Sequence, residues 1–216
     1  MSNVFDQDSK YNRFMTKIFD LAVLNILWTL TSLPLITIGA SQIALYTVTL
    51  KMVRNEEGKI ISGYFKAFKE NLKQSLIPTV LLWLCMGVLF LDFHILKIQS
   101  SGTSSFFYGI CIVIMFFVIT VFSYAFPLFA KFDNTIKNTF SNAWKIAATH
   151  LKETSVLVSM NCIPFLWFIV SPGTFAWVFW IWFLLGTALV SYLDSVLLVK
   201  IFDEFIEKKD TDEDAC

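Results

Sequence analysis

A chain of 216 residues has the length of one domain, but 56% of it is hydrophobic, 17% aromatic and only 16% charged, far from the makeup of a water-soluble globule. Twenty-three phenylalanines need lipid to face. Seventeen basic and seventeen acidic residues cancel to a formal net charge of zero, so no global charge points to nucleic acid, and what matters is where the lysines lie.

The first 17 residues, MSNVFDQDSKYNRFMTK, are polar and mixed in charge and are expected to stay cytoplasmic. The apolar run behind them has no A-x-A cleavage site and carries Asp20 early, so a retained first helix is expected rather than a cleaved signal peptide. Between Ile18 and Val53 the charged residues are Asp20 and Lys51. The stretch between them exceeds the ~20 apolar residues that cross a hydrocarbon core of about 30 Å. Ser32, Leu33 and Pro34 disfavour a continuous helix, because the residue before a proline is pushed out of the α region. Two helices are predicted, about 18–33 and 35–53, joined by a tight turn at Pro34; the alternative is one crossing followed by a re-entrant Leu35–Val53 segment. Lys10, Arg13 and Lys17 precede the run, and Lys51, Arg54, Lys59, Lys66, Lys69 and Lys73 follow it. Short basic loops stay cytoplasmic, which favours the hairpin.

After Gly58 the period changes. Ile61, Tyr64, Phe65, Phe68 and Leu72 recur at helical spacing, with Lys59, Lys66, Lys69, Glu70 and Lys73 on the other face. This predicts an amphipathic helix over about 60–73, lying on the cytoplasmic interface against anionic headgroups or docking a cytoplasmic partner such as a transporter ATPase. RNEEGKIISG does not reproduce the E-A-A-x-x-x-G loop of ABC permeases. A third crossing over 75–96 and a fourth over 105–130 are separated by KIQSSGTSS, which holds one lysine and reads as an outside loop. Asp92 and His94 at the outer end of the third have the chemistry of a proton relay, or simply reach water. Pro78 and Pro127 lie near the cytoplasmic helix ends, where a lost backbone bond is easily re-satisfied.

Lys131 to Lys152 repeats the plan. Ile136, Phe140, Ala143, Trp144, Ala147 and Leu151 form an apolar stripe with Lys137, Lys145, His150 and Lys152 elsewhere, predicting a second interfacial amphipathic helix over about 135–151. F-K-A-F-K (Phe65 to Lys69) aligns with S-N-A-W-K (Ser141 to Lys145), and N-L-K-Q-S (Asn71 to Ser75) with H-L-K-E-T (His150 to Thr154), with a three-residue shift in spacing between the two matches. Two parallel repeats follow, each an inward crossing, an amphipathic helix and an outward crossing. A short fifth crossing over 154–170 contains Asn161 and Pro164, and SPGT (171–174) makes an outside turn. Trp177, Trp180 and Trp182 then suit an interfacial aromatic belt, or a platform for a sugar. The sixth crossing, about 175–200, holds Asp194 well inside an apolar run. Asp20 sits at a similar depth from the same side. Asp20, Asn161 and Asp194 form the candidate intramembrane polar site; the two carboxylates have the chemistry to coordinate an ion, with structural pairing to Lys17 or Lys131 as the plainer reading. The tail, 204–216, is charged and cytoplasmic by parity.

The fold expected is therefore an all-α polytopic membrane bundle over 18–203, with six crossings (five if Leu35–Val53 is re-entrant) and two cytoplasmic interfacial helices, whose Phe65, Phe68, Lys69, Trp144 and Lys145 are candidate lipid or partner contacts. No catalytic, cofactor or metal site is expected. There is no G-x-S-x-G, H-E-x-x-H or G-x-x-x-x-G-K-[ST]; the cysteines at 85, 111, 162 and 216 form no C-x-x-C; and His94 and His150 fall on opposite sides of the predicted topology.

F-D-L-A-V-L-N-I-L-W (Phe19 to Trp28), S-L-P-L-I-T-I-G-A (Ser32 to Ala40), A-L-Y (Ala44 to Tyr46), L-K-M-V-R-N-E-E-G (Leu50 to Gly58), F-K-A-F-K-E-N (Phe65 to Asn71), Y-A-F-P-L-F-A-K-F (Tyr124 to Phe132) and S-Y-L-D-S…K-I-F-D (Ser191 to Asp203) cover nearly the whole chain. In these segments it resembles the YesL-like family of bacterial integral membrane proteins of unknown function. The resemblance implies a multi-pass protein of the bacterial cell membrane, both termini cytoplasmic, often encoded beside carbohydrate-uptake ABC transporters. It supplies no catalytic or ligand residues. Two activities are consistent with these features: an accessory to carbohydrate ABC uptake that contacts transporter subunits, or a small transporter or channel using Asp20, Asn161 and Asp194.

Overall fold

The computed structural model describes residues 10–99, 104–171, 173–174, 179–180 and 182–214, and every regular element among them is helical. The first nine residues, the middle of the KIQSSGTSS loop, Trp177 and the last two residues of the tail lie outside the described residues.

Helix α1 (Lys10–Ser32) starts eight residues before the apolar run and ends ahead of Pro34, as the proline dictates. A 3-10 turn (Leu35–Thr37) leads into α2 (Ile38–Val53). Thr37 staples this turn: its N–H donates to the Pro34 carbonyl at 2.9 Å, and its hydroxyl reaches the Thr31 carbonyl at 2.6 Å. The pair is an antiparallel hairpin, since Trp28 Nε1 donates to Gln42 Oε1 (2.9 Å) near the turn while Lys17 Nζ donates to Asn55 Oδ1 (3.0 Å) at the open end. Helix α2 is the centre of the molecule. Eleven of its sixteen residues are buried, and α1, α3, α4 and the C-terminal helix all pack on it.

Helix α3 (Ile60–Gln99) corrects the sequence reading. The amphipathic segment 60–73 and the third crossing are one helix of 40 residues, about 60 Å long at 1.5 Å per residue and roughly twice a hydrocarbon core. The hydrophobic period changes near Lys73, but nothing in Asn71 to Ser75 breaks a backbone. Pro78 is accommodated inside the helix, with the Thr79 hydroxyl donating to the Ser75 carbonyl at 2.6 Å in the same turn. The lower half of α3 does not lie free on a surface, because it runs antiparallel along α2. Tyr64 is fully buried, its hydroxyl 2.7 Å from that of Thr31 and 3.4 Å from the Ser41 carbonyl. Ala67 is buried and Phe68 packs partly into the same cluster with Leu24, Leu45 and Met52.

At Gly39 α2 and α3 lie close together: a Cβ there would lie 2.0 Å from Thr79 Oγ1 and 3.2 Å from the Ser75 carbonyl. The hairpin tip meets α3 only halfway along it. Trp83 Nε1 donates to the Leu35 carbonyl at 3.2 Å, and from Trp83 the helix continues to Gln99, about 24 Å further.

Helix α4 (Ser104–Lys131) returns beside α3, and its lower half supplies Phe122, Tyr124, Phe126, Leu128 and Phe129 to the main core. Helix α5 (Ile136–Thr149) is capped by the Thr135 side chain, which accepts from the Asn138 N–H. It packs Ala143, Ile146 and Ala147 onto α4. Along the apolar stripe read from sequence, Ala143 and Ala147 are buried while Trp144 is 49% exposed and Leu151 68% exposed.

The chain breaks at His150 (φ −114°, ψ 58°) and resumes as α6 (Leu151–Val170), which covers the predicted fifth crossing. That break accounts for the repeat shift. The three extra residues between SNAWK and HLKET fall at the interruption between α5 and α6, whereas α3 runs through the equivalent place. The aligned positions remain equivalent in burial: Ala67 and Ala143 are both buried, as are the hydroxyls of Ser75 and Thr154.

A π-helical turn (Trp182–Gly186) opens helix α7 (Thr187–Asp214). Asn25 on α1 holds this junction. Its Nδ2 donates to the Phe183 carbonyl at 2.6 Å and its Oδ1 accepts from the Ala188 N–H at 2.8 Å, so one side chain bonds backbone groups on both sides of the change of helix type. Of the belt tryptophans that are described, Trp180 is 68% exposed and Trp182 half-buried. Among the described residues five helices are long and apolar enough to cross a membrane, 11–32, 35–53, 60–98, 105–131 and 182–206, and the predicted fifth crossing over 154–170 is not one of them.

Candidate functional site

The sequence marks Asp194 as an anomaly, a carboxylate inside an apolar run, and the fold places it at the meeting of α2, α6 and α7. It is fully buried. Tyr46 from α2 donates its hydroxyl to Asp194 Oδ2 at 3.0 Å, and Asn161 Nδ2 from α6 donates to the same oxygen at 2.9 Å. Oδ1 is enclosed and has no hydrogen-bond partner. The neighbouring turns of α7 continue the polar seam. Ser195 shares a 2.8 Å hydrogen bond with Thr49 of α2, Ser191 receives Gln42 Nε2 at 3.5 Å, and Gln42 in turn accepts from Trp28. Beside them Tyr124 of α4 and Thr154 of α6 share a 2.9 Å hydrogen bond, with Thr154 also donating to the Ala147 carbonyl. Hydroxyl and amide side chains fit apolar helix surfaces only when they bond one another or a free carbonyl, and here they do.

Of the three residues proposed for an intramembrane polar site, two are brought together and one is not. Asn161 and Asp194 touch; Asp20 is half-buried on α1 and takes no part in their network. The expected pairing of Asp194 with Lys17 or Lys131 is not made. Lys17 turns to Asn55 and the Met52 carbonyl, 5.9 Å above the Tyr192 ring, and Lys131 is exposed. Tyr46 and Thr49, which carry the network, and Asn25, which holds the π-turn junction, were not singled out from the sequence. The only sign of them there was polarity inside crossings.

Among the candidate contact residues, Phe65, Lys69 and Lys145 are exposed, and Trp144 stands out from α5 with its ring 4.9 Å from that of Phe117. Phe68 is a correction, since it packs into the core around Tyr64 rather than facing outward. Asp92 is half-buried and His94 exposed. Two residues apart, they lie on opposite faces of α3 and do not form a relay pair.

Basic residues gather at one end of the bundle. Lys51, Arg54 and Lys131 line one cleft there. Lys51, Lys59 and Lys66, with Glu56 and Glu57, line another of about 350 Å³. Arg54 also forms an ion pair with Asp203, tying the end of α2 to α7. Neither cleft is lined by Asp194. Among the described residues no three His, Cys, Asp or Glu side chains cluster as a transition-metal or divalent site would require, and Cys85, Cys111 and Cys162 are free thiols.

Residues 21–93 match the family described as a protein of unknown function, DUF624. The chain is also 26% identical over 209 residues to the uncharacterized protein YesL of Bacillus subtilis (strain 168), an alignment covering 94% of this chain and 95% of that protein. No solved structure matches. The family match takes in the α1–α2 hairpin and most of α3, and the end-to-end similarity to YesL runs through the helix that holds Asp194, so the chain is similar to proteins of unknown function.

Proposed function

We propose that the chain is a non-enzymatic, multi-pass component of the bacterial cell membrane, with both termini cytoplasmic, that assists a carbohydrate ABC uptake system by contacting its subunits. The contact surface is the basic end of the bundle together with the exposed faces of α3 and α5, through Phe65, Lys69, Trp144 and Lys145. One observation carries the choice of a scaffold over a conduit. The interior around α2 is filled by Ile43, Phe122, Phe126, Phe129 and Phe202, and the polar groups within it bond to one another rather than line an opening. The gathering of Lys17, Lys51, Arg54, Lys59 and Lys131 at one end supports a cytoplasmic position for that end. The link to carbohydrate uptake rests on the family resemblance.

Quantitative pull-down from detergent tests this reading. Enrichment of ABC transporter subunits with the intact chain, lost with Phe65→Glu plus Trp144→Glu, is the expected result. No enrichment, with sugar uptake unaltered by the double variant, refutes it. Phe65 and Trp144 are the right probes because both are exposed, so a charge at either leaves the core intact.

The second reading, a small transporter or channel for a solute, is favoured by the enclosed Asp194 Oδ1, a polar atom with unused capacity in the centre of the bundle. Solute flux into proteoliposomes that Asp194→Asn abolishes supports it. Flux that survives Asp194→Asn removes the site.

A further inference from the structure

We propose that the cleft between the ends of α2 and α4 and the side of α7 binds the phosphodiester headgroup of an anionic phospholipid such as phosphatidylglycerol. Such a site goes beyond the accessory role above and does not depend on any transporter. The cleft encloses about 200 Å³, and its charged lining is Lys51 and Arg54 from the end of α2, Glu56 just past it and Lys131 from the last turn of α4. Arg54 is neutralised by Asp203. Lys51, Lys131 and Glu56 are exposed and make no ion pair among the described residues. Two unpaired lysines against one carboxylate leave a single positive charge, which matches the single negative charge of a phosphodiester.

The floor and the depth of the cleft favour a lipid over a dissolved anion. Leu50, Val199 and Phe202 line it beside the lysines, an apolar surface that suits the glycerol and upper acyl carbons of a lipid and offers a hydrated phosphate nothing. Trp83 holds the hairpin tip halfway along α3, and Lys51 lies about 21 Å along α2 from Thr37. With the tip near the midplane, Lys51 stands about 6 Å outside a hydrocarbon half-thickness of about 15 Å, within a headgroup layer about 5–8 Å deep. Basic pockets between helices at this depth are where anionic headgroups are held. The carbonyls that end α2 offer little opposition, because that of Lys51 accepts from the Glu56 N–H at 2.9 Å and that of Met52 from Lys17 Nζ at 3.3 Å.

The test uses the full chain in dodecylmaltoside at fixed pH and ionic strength, titrated with phosphatidylglycerol, phosphatidylcholine or inorganic phosphate. It reads bound lipid by native mass spectrometry, together with the thermal midpoint. The expected result is one phosphatidylglycerol per chain retained in preference to phosphatidylcholine, and a midpoint that rises with phosphatidylglycerol alone. Lys51→Gln plus Lys131→Gln weakens that binding by about tenfold or more. Lys59→Gln plus Lys66→Gln, an equal loss of charge in the neighbouring cleft, keeps the wild-type response, and Glu56→Gln tightens binding by removing the opposing charge. All five side chains are exposed, so these variants leave the core intact. Equal retention of the two lipids overturns the proposal, as does phosphatidylglycerol binding that survives the loss of Lys51 and Lys131. Equal weakening in the two double variants overturns it by assigning the effect to overall surface charge. A midpoint that rises as much with inorganic phosphate overturns it by assigning the cleft to a soluble anion.

Discussion

Tyr46 and Asp194 lie 148 residues apart in the chain and meet in the middle of the bundle, hydroxyl to Oδ2 at 3.0 Å. Because Asn161 donates to the same oxygen, the two donors act on one acceptor and their effects are coupled. Tyr46→Phe keeps the ring and deletes only the hydroxyl, so it is expected to destabilise the folded protein by about 1–3 kcal/mol, the cost of withdrawing a partner from a buried polar group. Asn161→Ala is expected to cost a similar amount. The double variant departs from the sum of the two, which unfolding in mixed detergent micelles would measure. Additive losses would mean that the two side chains stabilise the fold independently of Asp194.

Asn25 gives a second prediction, because a single side chain closes the junction where the π turn becomes α7. Asn25→Leu withdraws a side-chain partner from both the Phe183 carbonyl and the Ala188 N–H and is expected to cost about 1–3 kcal/mol for each. Asn25→Asp keeps the acceptor for Ala188 but sets an oxygen against the Phe183 carbonyl, so it is expected to be no better than leucine. Amide exchange over residues 183–190 localises the effect: faster exchange there, with α4 unchanged, is the expected pattern.

At Gly39 the prediction is steric. An added Cβ would meet Thr79 Oγ1 at 2.0 Å and the Ser75 backbone carbonyl at 3.2 Å, so Gly39→Ala is expected to overpack the α2–α3 contact and lower stability by about 1–3 kcal/mol. Thr79→Ala removes the nearer obstacle. The Gly39→Ala, Thr79→Ala pair should therefore be more stable than the sum of the single variants, recovering part of the loss in the same unfolding assay. A plain sum would show that the backbone carbonyl is what resists the methyl group.

What the sequence made legible follows from how local each signal is. Pro34 alone is enough to end α1, and the hairpin it predicts is there. The repeat was visible in FKAFK and SNAWK because short-range spacing survives duplication. The unity of α3 was not visible: a change from amphipathic to apolar pattern marks a change of environment along a helix, not an end to it, and the chain has no breaker near Lys73. Tyr46 was invisible as a partner for Asp194 because nothing within α2 refers to α7. Asp194 itself was conspicuous for the converse reason, since a carboxylate in an apolar run is a local anomaly wherever its partners lie. The error at Phe68 arose from reading every apolar residue on one stripe as equivalent, when α2 covers part of that stripe and leaves Phe65 bare.

The depth of the α1–α2 hairpin supplies the last prediction. Its tip packs at Trp83, about 24 Å short of the far end of α3. If α3 crosses the bilayer between Lys73 and its outer end, the tip stops near the midplane, so the hairpin enters and returns without emerging. Both its ends still lie on the lysine-rich side, as the charge rule requires. With the native cysteines replaced, single cysteines at Lys59, Lys145, Gly173 and Leu35 separate the alternatives, since all four positions are exposed on the protein surface and only the membrane can shield them. An impermeant maleimide added to intact cells is expected to label 173 alone. After permeabilisation 59 and 145 should react as well, while 35 stays protected throughout because lipid covers it. Labelling of 35 from outside would instead establish a hairpin that spans fully, and labelling of 59 or 145 in intact cells would invert the topology.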